Sequence, residues 1–421
     1  MTLLTHFNTG DTAWVLASAA LVLFMTPGLA LFYGGLSRSK NVLGIMMQCM
    51  FCIGAVSIIW AVFGFSLAFG KDVGGGIIGN LGLAGMGSNH TLIPGLSHLA
   101  VSPLAFGVFQ MMFAVITAAL IAGGGADRMK FAGFCVLIVV WTVLVYVPIA
   151  HWVFSPNGWL AHQGVLDFAG GTVVEINSGF SALGLAIVLG KRHGWPREAM
   201  VPHSVPIAVA GAGILWFGWF GFNAGSAGAA NGVAVHAFLN TQLAACAGLI
   251  GWLIIEKVTT SYATTVGAIS GAVAGMVAIT PCAGFIGTMP SILIGLLAGL
   301  ICASAVKLKF KFGYDDSLDV LGVHGVGGLI GTILLGLFAS VAVNHGGANG
   351  LFYGGGLHLL GVQVLAALVT AVYALVVTAA IAKLVDKTIG LRVSPDDENI
   401  GLDSSQHAEN AYSIGSSQGH R

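Results

Sequence analysis

Long apolar stretches alternate with short polar connections along most of the chain. A helix rises 1.5 Å per residue, so about 20 apolar residues are enough to cross the hydrocarbon core of a bilayer. Eleven stretches of about this length follow one another, which predicts an all-α multi-pass membrane protein of eleven transmembrane helices. The predicted spans are 13–36, 42–69, 101–123, 131–150, 168–190, 203–222, 235–255, 262–281, 286–306, 319–343 and 357–384.

The connections on the two sides of the predicted membrane differ in their basic residues. An odd number of spans leaves the two ends of the chain on opposite sides. Of the 16 Lys and Arg residues, all except Lys71 fall on the side of the C-terminal tail. Basic residues favour the cytoplasmic side, so we predict an outer N-terminus and an inner C-terminus. We expect a membrane domain over 1–391 and a cytoplasmic C-terminal tail over 392–421.

Composition supports a membrane protein and excludes other classes. Charged residues make up 8% of the chain and hydrophobic residues 56%, whereas a soluble domain carries roughly 25% charged residues. The zero net charge provides no basic surface for nucleic acid. Glycine is unusually frequent, with 63 residues of 421, and it lets membrane helices approach closely.

Two segments that lie five spans apart share one spacing of ionisable residues. Asp167 is followed eight residues later by Glu175, and Asp316 is followed eight residues later by His324. In both segments, valine precedes the second group and glycine lies four residues beyond it. The segments cross the membrane in opposite directions, as in an inverted repeat with its site at the midplane. We therefore predict an inverted five-plus-five repeat (spans 1–5 and 6–10) plus an eleventh helix.

Glu175 and His324 are predicted to lie near the middle of the bilayer. Ionisable residues there are costly, at about 3 kcal/mol on insertion scales, and they mark functional sites. A buried carboxylate needs a partner, and the repeat places His324 on a facing helix. We predict a polar pair lining an apolar conduit, with a purely structural helix–helix hydrogen bond as the alternative. Asp167 lies where an N-cap acceptor belongs, so it can cap its helix or attract a cation.

Longer motifs are spread over the chain. They are FMTPGLALFYGGL at 24–36, DFAGGT at 167–172, GWFGFNAGS at 218–226, GVHGVGG at 322–328, GLD at 401–403 and HAENAY at 407–412. Together they resemble the Amt/Mep/Rh ammonium transporters, most closely the bacterial Amt branch, over about residues 12–413. The resemblance implies a homotrimer in the lipid bilayer with one conduit per subunit, an outer recruitment site, two stacked phenylalanines and two pore histidines.

The resemblance also assigns roles to individual residues. Phe113, in the segment FQMMFA, and Phe222 match the stacked gate. Ser226 matches the hydroxyl of the outer ammonium recruitment site, which Phe113 also borders. Members of the family carry a tryptophan at this site shortly after the segment around His151, and Phe154 is expected to take its place here.

One residue departs from the usual pattern of the family. Glu175 stands where most members carry the first pore histidine, while His324 keeps the second. A subset of the family, including fungal members, has an acid at this position. The departure argues against any mechanism that requires two neutral imidazoles.

The resemblance implies a transporter of ammonium in the bacterial inner (plasma) membrane, and it leaves open whether methylammonium is also accepted. A bare ammonium ion is costly in an apolar tube, whereas neutral ammonia is not. We therefore predict recruitment of the ion, passage of ammonia, and net movement of charge or protons. An ammonium sensor (or transceptor) and an Rh-like neutral gas channel are the alternatives. We expect no enzymatic activity, cofactor or metal, since one His and one Glu are too few metal ligands. In bacterial members the tail docks PII signalling proteins.

Overall fold

The computed structural model describes residues 7–88, 92–96 and 99–412, so residues 413–421 of the predicted tail lie outside the described residues. Its helices, with short breaks at 155–158 and 306–307, are α1 (Thr9–Leu36), α2 (Val42–Phe69), α3 (Pro103–Gly125), α4 (Phe131–His162), α5 (Gly171–Leu189), α6 (Val205–Gly225), α7 (Gly232–Thr260), α8 (Thr265–Ile279), α9 (Thr288–Phe312), α10 (Leu321–Phe338), α11 (His358–Thr388), α12 (Pro395–Ile400) and α13 (Leu402–His407).

Within the described residues, ten helices are long and apolar enough to cross a membrane, namely α1–α11 without α8. The all-helical, multi-pass character predicted from the sequence is therefore confirmed. The eighth predicted span, 262–281, contains a shorter helix of 15 residues. Thr264 caps its first turn by accepting a hydrogen bond from the Gly267 N–H. Pro281, which has no N–H to donate, follows its last turn.

Several helix ends differ from the predicted bounds because capping, not hydropathy, sets them. Helix α1 begins four residues before the predicted residue 13, since the Asn8 side chain accepts a hydrogen bond from the Asp11 N–H. Helix α10 ends at Phe338 rather than 343, because Ala339 leaves the helical conformation. The hydropathy of the sequence does not change at such helix ends, so it does not locate them.

The first helices of the two predicted halves, α1 and α6, form the most extensive helix contact among the described residues. Helices α5 and α10, the fifth of each half, pack against each other through their N-terminal segments. These contacts bring the two segments that carry Glu175 and His324 into one interior.

The described part of the C-terminal segment packs on the end of the bundle. The Asp403 carboxylate accepts a hydrogen bond from the Gly44 N–H at 2.8 Å, near the start of α2. The Leu402 N–H donates to the Asn41 side chain at 2.8 Å. Helices α12 and α13 are therefore attached to the bundle through backbone groups.

Asp315, which lies shortly before the start of α10, is buried. Its carboxylate forms a two-pronged ion pair with Arg192, at 2.8 and 2.9 Å. Burial raises the pKa of Asp315, but hydrogen bonds and charge from Arg192 outweigh burial and leave the pKa lowered. The pair fixes the α5–α6 connection against the start of α10.

Candidate functional site

Glu175 and His324 contact each other in the interior. The His324 Nδ1 lies 2.7 Å from the Glu175 Oε2, and both side chains are buried. When Glu175 is ionised it can only accept, and the imidazole Nδ1–H is then the donor. A short bond of this kind to an ionised acceptor is roughly twice as strong as a neutral one.

Both partners lie in widened helical turns. Glu175 belongs to a π-helical segment, Gly171–Ile176, and His324 to another, Leu321–Gly325. Such turns insert an extra residue into a helix and occur frequently at functional sites. The two turns occupy equivalent places at the starts of α5 and α10.

Two glycines let these helices approach closely enough for the pair to meet. A Cβ on Gly179 would lie 2.3 Å from the Gly325 Cα, and one on Gly328 would lie 2.9 Å from the Glu175 Cβ. These are the two glycines that share a position in the predicted repeat. Each therefore packs against the opposite half, and a larger side chain would force the helices apart.

Asp167 caps α5. Its carboxylate accepts hydrogen bonds from the backbone N–H groups of Gly170, Gly171 and Thr172 at 2.7–2.8 Å, and from the Thr172 hydroxyl. These donors satisfy the acid and complement the helix dipole. The same residue also lines a cavity with Ser226, so the capping geometry does not remove it from the candidate site.

Phe113 of α3 and Phe222 of α6 stack face to face. Their ring centroids lie 4.1 Å apart with planes 11° from parallel, and both are fully buried. The ring of Phe154 meets Phe113 edge-on, at 6.4 Å and 76°. The three aromatic residues singled out in the sequence thus form one cluster.

A cavity of about 320 Å³, here the Ser226 cavity, lies on one side of the stacked rings. Its lining includes Phe109, Gln110, Phe154, Asp167 and Ser226. The Ser226 hydroxyl donates to the Phe222 carbonyl oxygen at 2.9 Å, which leaves its own oxygen free to accept. Phe154 and Ser226 of the predicted outer site therefore face one space together with Asp167, whereas Phe113 does not line it.

Two aromatic residues that follow His151 lie in different surroundings. Phe154 lines the Ser226 cavity, whereas Trp152 turns elsewhere. The Trp152 indole N–H donates to the Ile77 carbonyl oxygen at 3.0 Å, and its ring packs on Tyr373. Of these two aromatic residues, only Phe154 borders the cavity.

A much smaller cavity lies beyond the stacked rings. It measures about 10 Å³, room for roughly one water. Its lining includes Phe222, Trp219, Glu175 and His324. This space, here the narrow cavity, connects the aromatic pair with the Glu175–His324 pair.

A third cavity, of about 360 Å³, begins at His324. Its lining also includes Tyr33, Arg192, Lys309 and Asp319, and we call it the Asp319 cavity. His324 borders both this cavity and the narrow one. The Ser226 cavity, the stacked rings, the narrow cavity, the polar pair and the Asp319 cavity therefore follow one another through the bundle.

Some residues of this series were not singled out in the sequence. Gln110 lines the Ser226 cavity and Trp219 lines the narrow cavity. Each precedes a gate phenylalanine by three residues, which places it on the same face of its helix. This three-residue spacing from a gate phenylalanine is the sequence signal that could have identified both residues.

A model of the Ammonium Transporter Family matches residues 13–412. The protein named Ammonium transporter from Bacillus subtilis (strain 168) is 48% identical over 407 residues, covering 96% of this chain and 98% of that protein. The crystal structure of Saccharomyces cerevisiae Mep2 aligns with a TM-score of 0.86 at 34% identity, covering 98% of this chain and 95% of that one. A structure titled Sensor Amt Protein aligns with a TM-score of 0.85 at 29% identity, covering 94% and 98%.

Proposed function

The chain belongs to the ammonium transporter family, and from this premise we propose how its residues carry the substrate across the membrane. The proposal has four parts: the topology, the recruitment of the ion, the passage of ammonia, and the movement of charge. Each part is supported by a different set of contacts.

Eleven helices cross the membrane, with α8 as the eleventh span beside the ten long ones. The Lys307 ammonium group donates to the Thr259 hydroxyl at 3.2 Å, so the ends of α7 and α9 lie on the same side. Because α9 crosses the membrane, α8 must cross it too in order to connect them. The distribution of basic residues supports an outer N-terminus and an inner C-terminus.

Ammonium is recruited in the Ser226 cavity, which opens to the outside in this topology. The Ser226 oxygen accepts a hydrogen bond from the ion, and the rings of Phe154 and Phe113 attract it by cation–π interaction worth about 1–2 kcal/mol. Asp167 adds negative charge nearby, although its oxygens already accept hydrogen bonds from backbone N–H groups at the start of α5.

Ammonia then passes the stacked rings of Phe113 and Phe222. The ion loses hydration worth many kcal/mol in so apolar a passage, whereas the neutral molecule loses little. The proton leaves ammonium to water in the Ser226 cavity and crosses separately, by way of the Glu175–His324 pair. The narrow cavity, with room for about one small molecule, excludes a hydrated ion.

The buried contact between Glu175 and His324, at 2.7 Å, is the observation that carries the proposal. A conduit for neutral gas alone has no need of an ionisable pair, whose burial is costly. The pair lies between the narrow cavity and the Asp319 cavity, where it can relay a proton along the same route. Net charge therefore accompanies each ammonia.

Residues 1–391 form the membrane domain, and 392–421 form a cytoplasmic tail. The family resemblance supports a homotrimer with one conduit per subunit, located in the plasma membrane. Helices α12 and α13, which pack on the end of the bundle, offer a cytoplasmic surface on which a PII protein can dock.

Sensing is the alternative with a specific observation in its favour, because a structure titled Sensor Amt Protein shares this fold. The fold therefore does not decide between sensing and transport. The series of cavities on both sides of the stacked rings favours transport, since a sensor needs only the recruitment site.

The test is the current evoked by an ammonium pulse on proteoliposomes that contain the purified protein. We expect a current from the wild type and at least a roughly tenfold smaller one from Glu175→Gln, which loses a charge-assisted hydrogen bond worth about 1.5–3 kcal/mol. Glu175→His restores the usual pair of histidines and is expected to alter the pH dependence. The exposed tail residue Glu409 supplies the control, Glu409→Gln, which is expected to match the wild type.

Three outcomes would contradict parts of the proposal. If neither Glu175 variant alters the current or its pH dependence, the carboxylate is outside the path. Ammonium flux without current would indicate a neutral gas channel. Ammonium binding without flux would indicate a sensor.

A further inference from the structure

Gln110 is a buried amide that none of the steps above uses. It lies on α3 three residues before Phe113, is 8% exposed, and lines the Ser226 cavity. Its Oε1 has no hydrogen-bond partner among the described residues. A buried acceptor left unpaired costs about 1–3 kcal/mol, and such an atom requires an explanation.

The other polar groups of the cavity are partly committed. The Asp167 carboxylate accepts hydrogen bonds from three consecutive backbone N–H groups and a hydroxyl. The Ser226 hydroxyl hydrogen is donated to the Phe222 carbonyl oxygen. An ammonium ion has four N–H donors, so the Ser226 oxygen alone leaves most of them to aromatic faces or water. The Gln110 side chain lines the same space, and its Oε1 is an uncommitted acceptor among the described residues.

We propose that the Gln110 amide is a further ligand of the transported species and that it serves both of its protonation states. This inference rests on the proposed transport function. Rotation by about 180° around the last side-chain bond exchanges Oε1 and Nε2. The oxygen accepts a hydrogen bond from ammonium, and the amide N–H donates to the lone pair of ammonia once the proton has left to water.

The amide itself neither gains nor loses a proton in this scheme. Its position one helical turn from Phe113 places it at the entrance to the stacked rings. It therefore keeps a hydrogen bond to the substrate while the substrate changes from a donor-only ion to a molecule that also accepts. A carboxylate can accept from either species but cannot donate to the lone pair of ammonia, and an apolar side chain does neither.

Two substitutions separate these properties. Gln110→Met keeps the length of the side chain but removes both polar ends, so the half-saturating ammonium concentration is expected to rise roughly tenfold. Gln110→Glu keeps only an acceptor. It is expected to lower the half-saturating concentration and also to lower the maximal current, because a carboxylate holds the ion and offers no donor to ammonia.

The chain offers a closely matched control. Gln48 of α2 is 3% exposed and its Oε1 is also unpartnered, yet it lines none of the three cavities of the conduit. Gln48→Met is expected to leave the half-saturating concentration within twofold of the wild type. Thermal unfolding of each purified variant shows whether it is folded.

The experiment is the ammonium-pulse current on proteoliposomes, measured over a range of ammonium concentrations. A half-saturating concentration for folded Gln110→Met within twofold of the wild type overturns the inference. If Gln110→Met does not fold, Gln110→Glu decides: a maximal current equal to the wild type overturns it. A wild type without ammonium-dependent current defeats the transport proposal instead, so the two failures are distinguishable.

Discussion

The starts of α5 and α10 share one backbone plan but carry different chemistry. Each has an aspartate, a left-handed residue three positions later and then a π-helical turn; the left-handed residues are Gly170 (φ 114°) and Asp319 (φ 60°). The equivalent positions in the two turns hold Glu175 in one half and His324 in the other. The matched starts of α5 and α10 therefore position two side chains against each other, while their identity sets what the contact can do.

The two caps also differ. Asp167 satisfies three consecutive N–H groups of its helix, whereas Asp316 accepts one from Leu321 at 2.8 Å and its Oδ1 is unpartnered among the described residues. Burial, with a contribution from Asp319, raises the pKa of Asp316 to about 6. Asp167 therefore stabilises the start of its helix strongly, whereas the buried charge of Asp316 costs free energy of folding.

The largest effect is expected from making the two halves alike at the central pair. His324→Glu places two carboxylates face to face and removes the hydrogen-bond donor. Breaking a buried pair in this way costs about 3–5 kcal/mol, so the current should nearly disappear. In the double variant Glu175→His/His324→Glu the pair is exchanged between the halves, and we expect part of the current to return. Ammonium-pulse currents and thermal unfolding measure both.

If the double variant gives no larger current than His324→Glu, then the helix that carries the acid matters as much as the contact itself. That result would mean that the two halves are not interchangeable at this position. Equal currents from all three proteins would contradict the role of the pair.

A smaller effect is expected from neutralising the two caps. Asp167→Asn removes the charge and replaces one of the two acceptor oxygens by an NH2 group, so some of the hydrogen bonds to this side chain are lost. The free energy of unfolding should therefore fall by about 3 kcal/mol. Asp316→Asn keeps an acceptor for the Leu321 N–H and removes a buried charge, so it should not lower the free energy of unfolding at pH 7. Titration with SDS in mixed micelles compares the two variants, and equal losses would show that the caps are equivalent.

The smallest effect is a pH dependence that belongs to the α10 half. Because the pKa of Asp316 is about 6 in the folded protein and 3.8 in the reference state, the folded protein binds more protons between about pH 4 and 6. The contribution of this residue to stability should therefore fall as pH rises through that window, by at most about 2.7 kcal/mol. In Asp316→Asn the free energy of unfolding should depend less on pH between about pH 4 and 6. An unchanged pH dependence would show that other groups cause it.

Much of the fold could be predicted from local sequence patterns. Hydropathy located ten long helices and a shorter one, because the bilayer requires about 20 apolar residues in each span. The matched spacing of Asp167–Glu175 and Asp316–His324 related two segments five spans apart. Helix ends were less accurate, since Asn8 and similar caps act through single hydrogen bonds.

The chain by itself determined the helical membrane architecture, the matched spacing of the two segments and the residue types available at the centre, because these depend on local composition and spacing. The tertiary structure alone decided the 2.7 Å contact of Glu175 and His324, the stacking of Phe113 on Phe222, and the unpaired amide of Gln110. Those features depend on how closely distant helices approach and on which acceptors remain unused after packing. Neither the distance between distant helices nor the set of unused acceptors can be read from a single segment of the sequence.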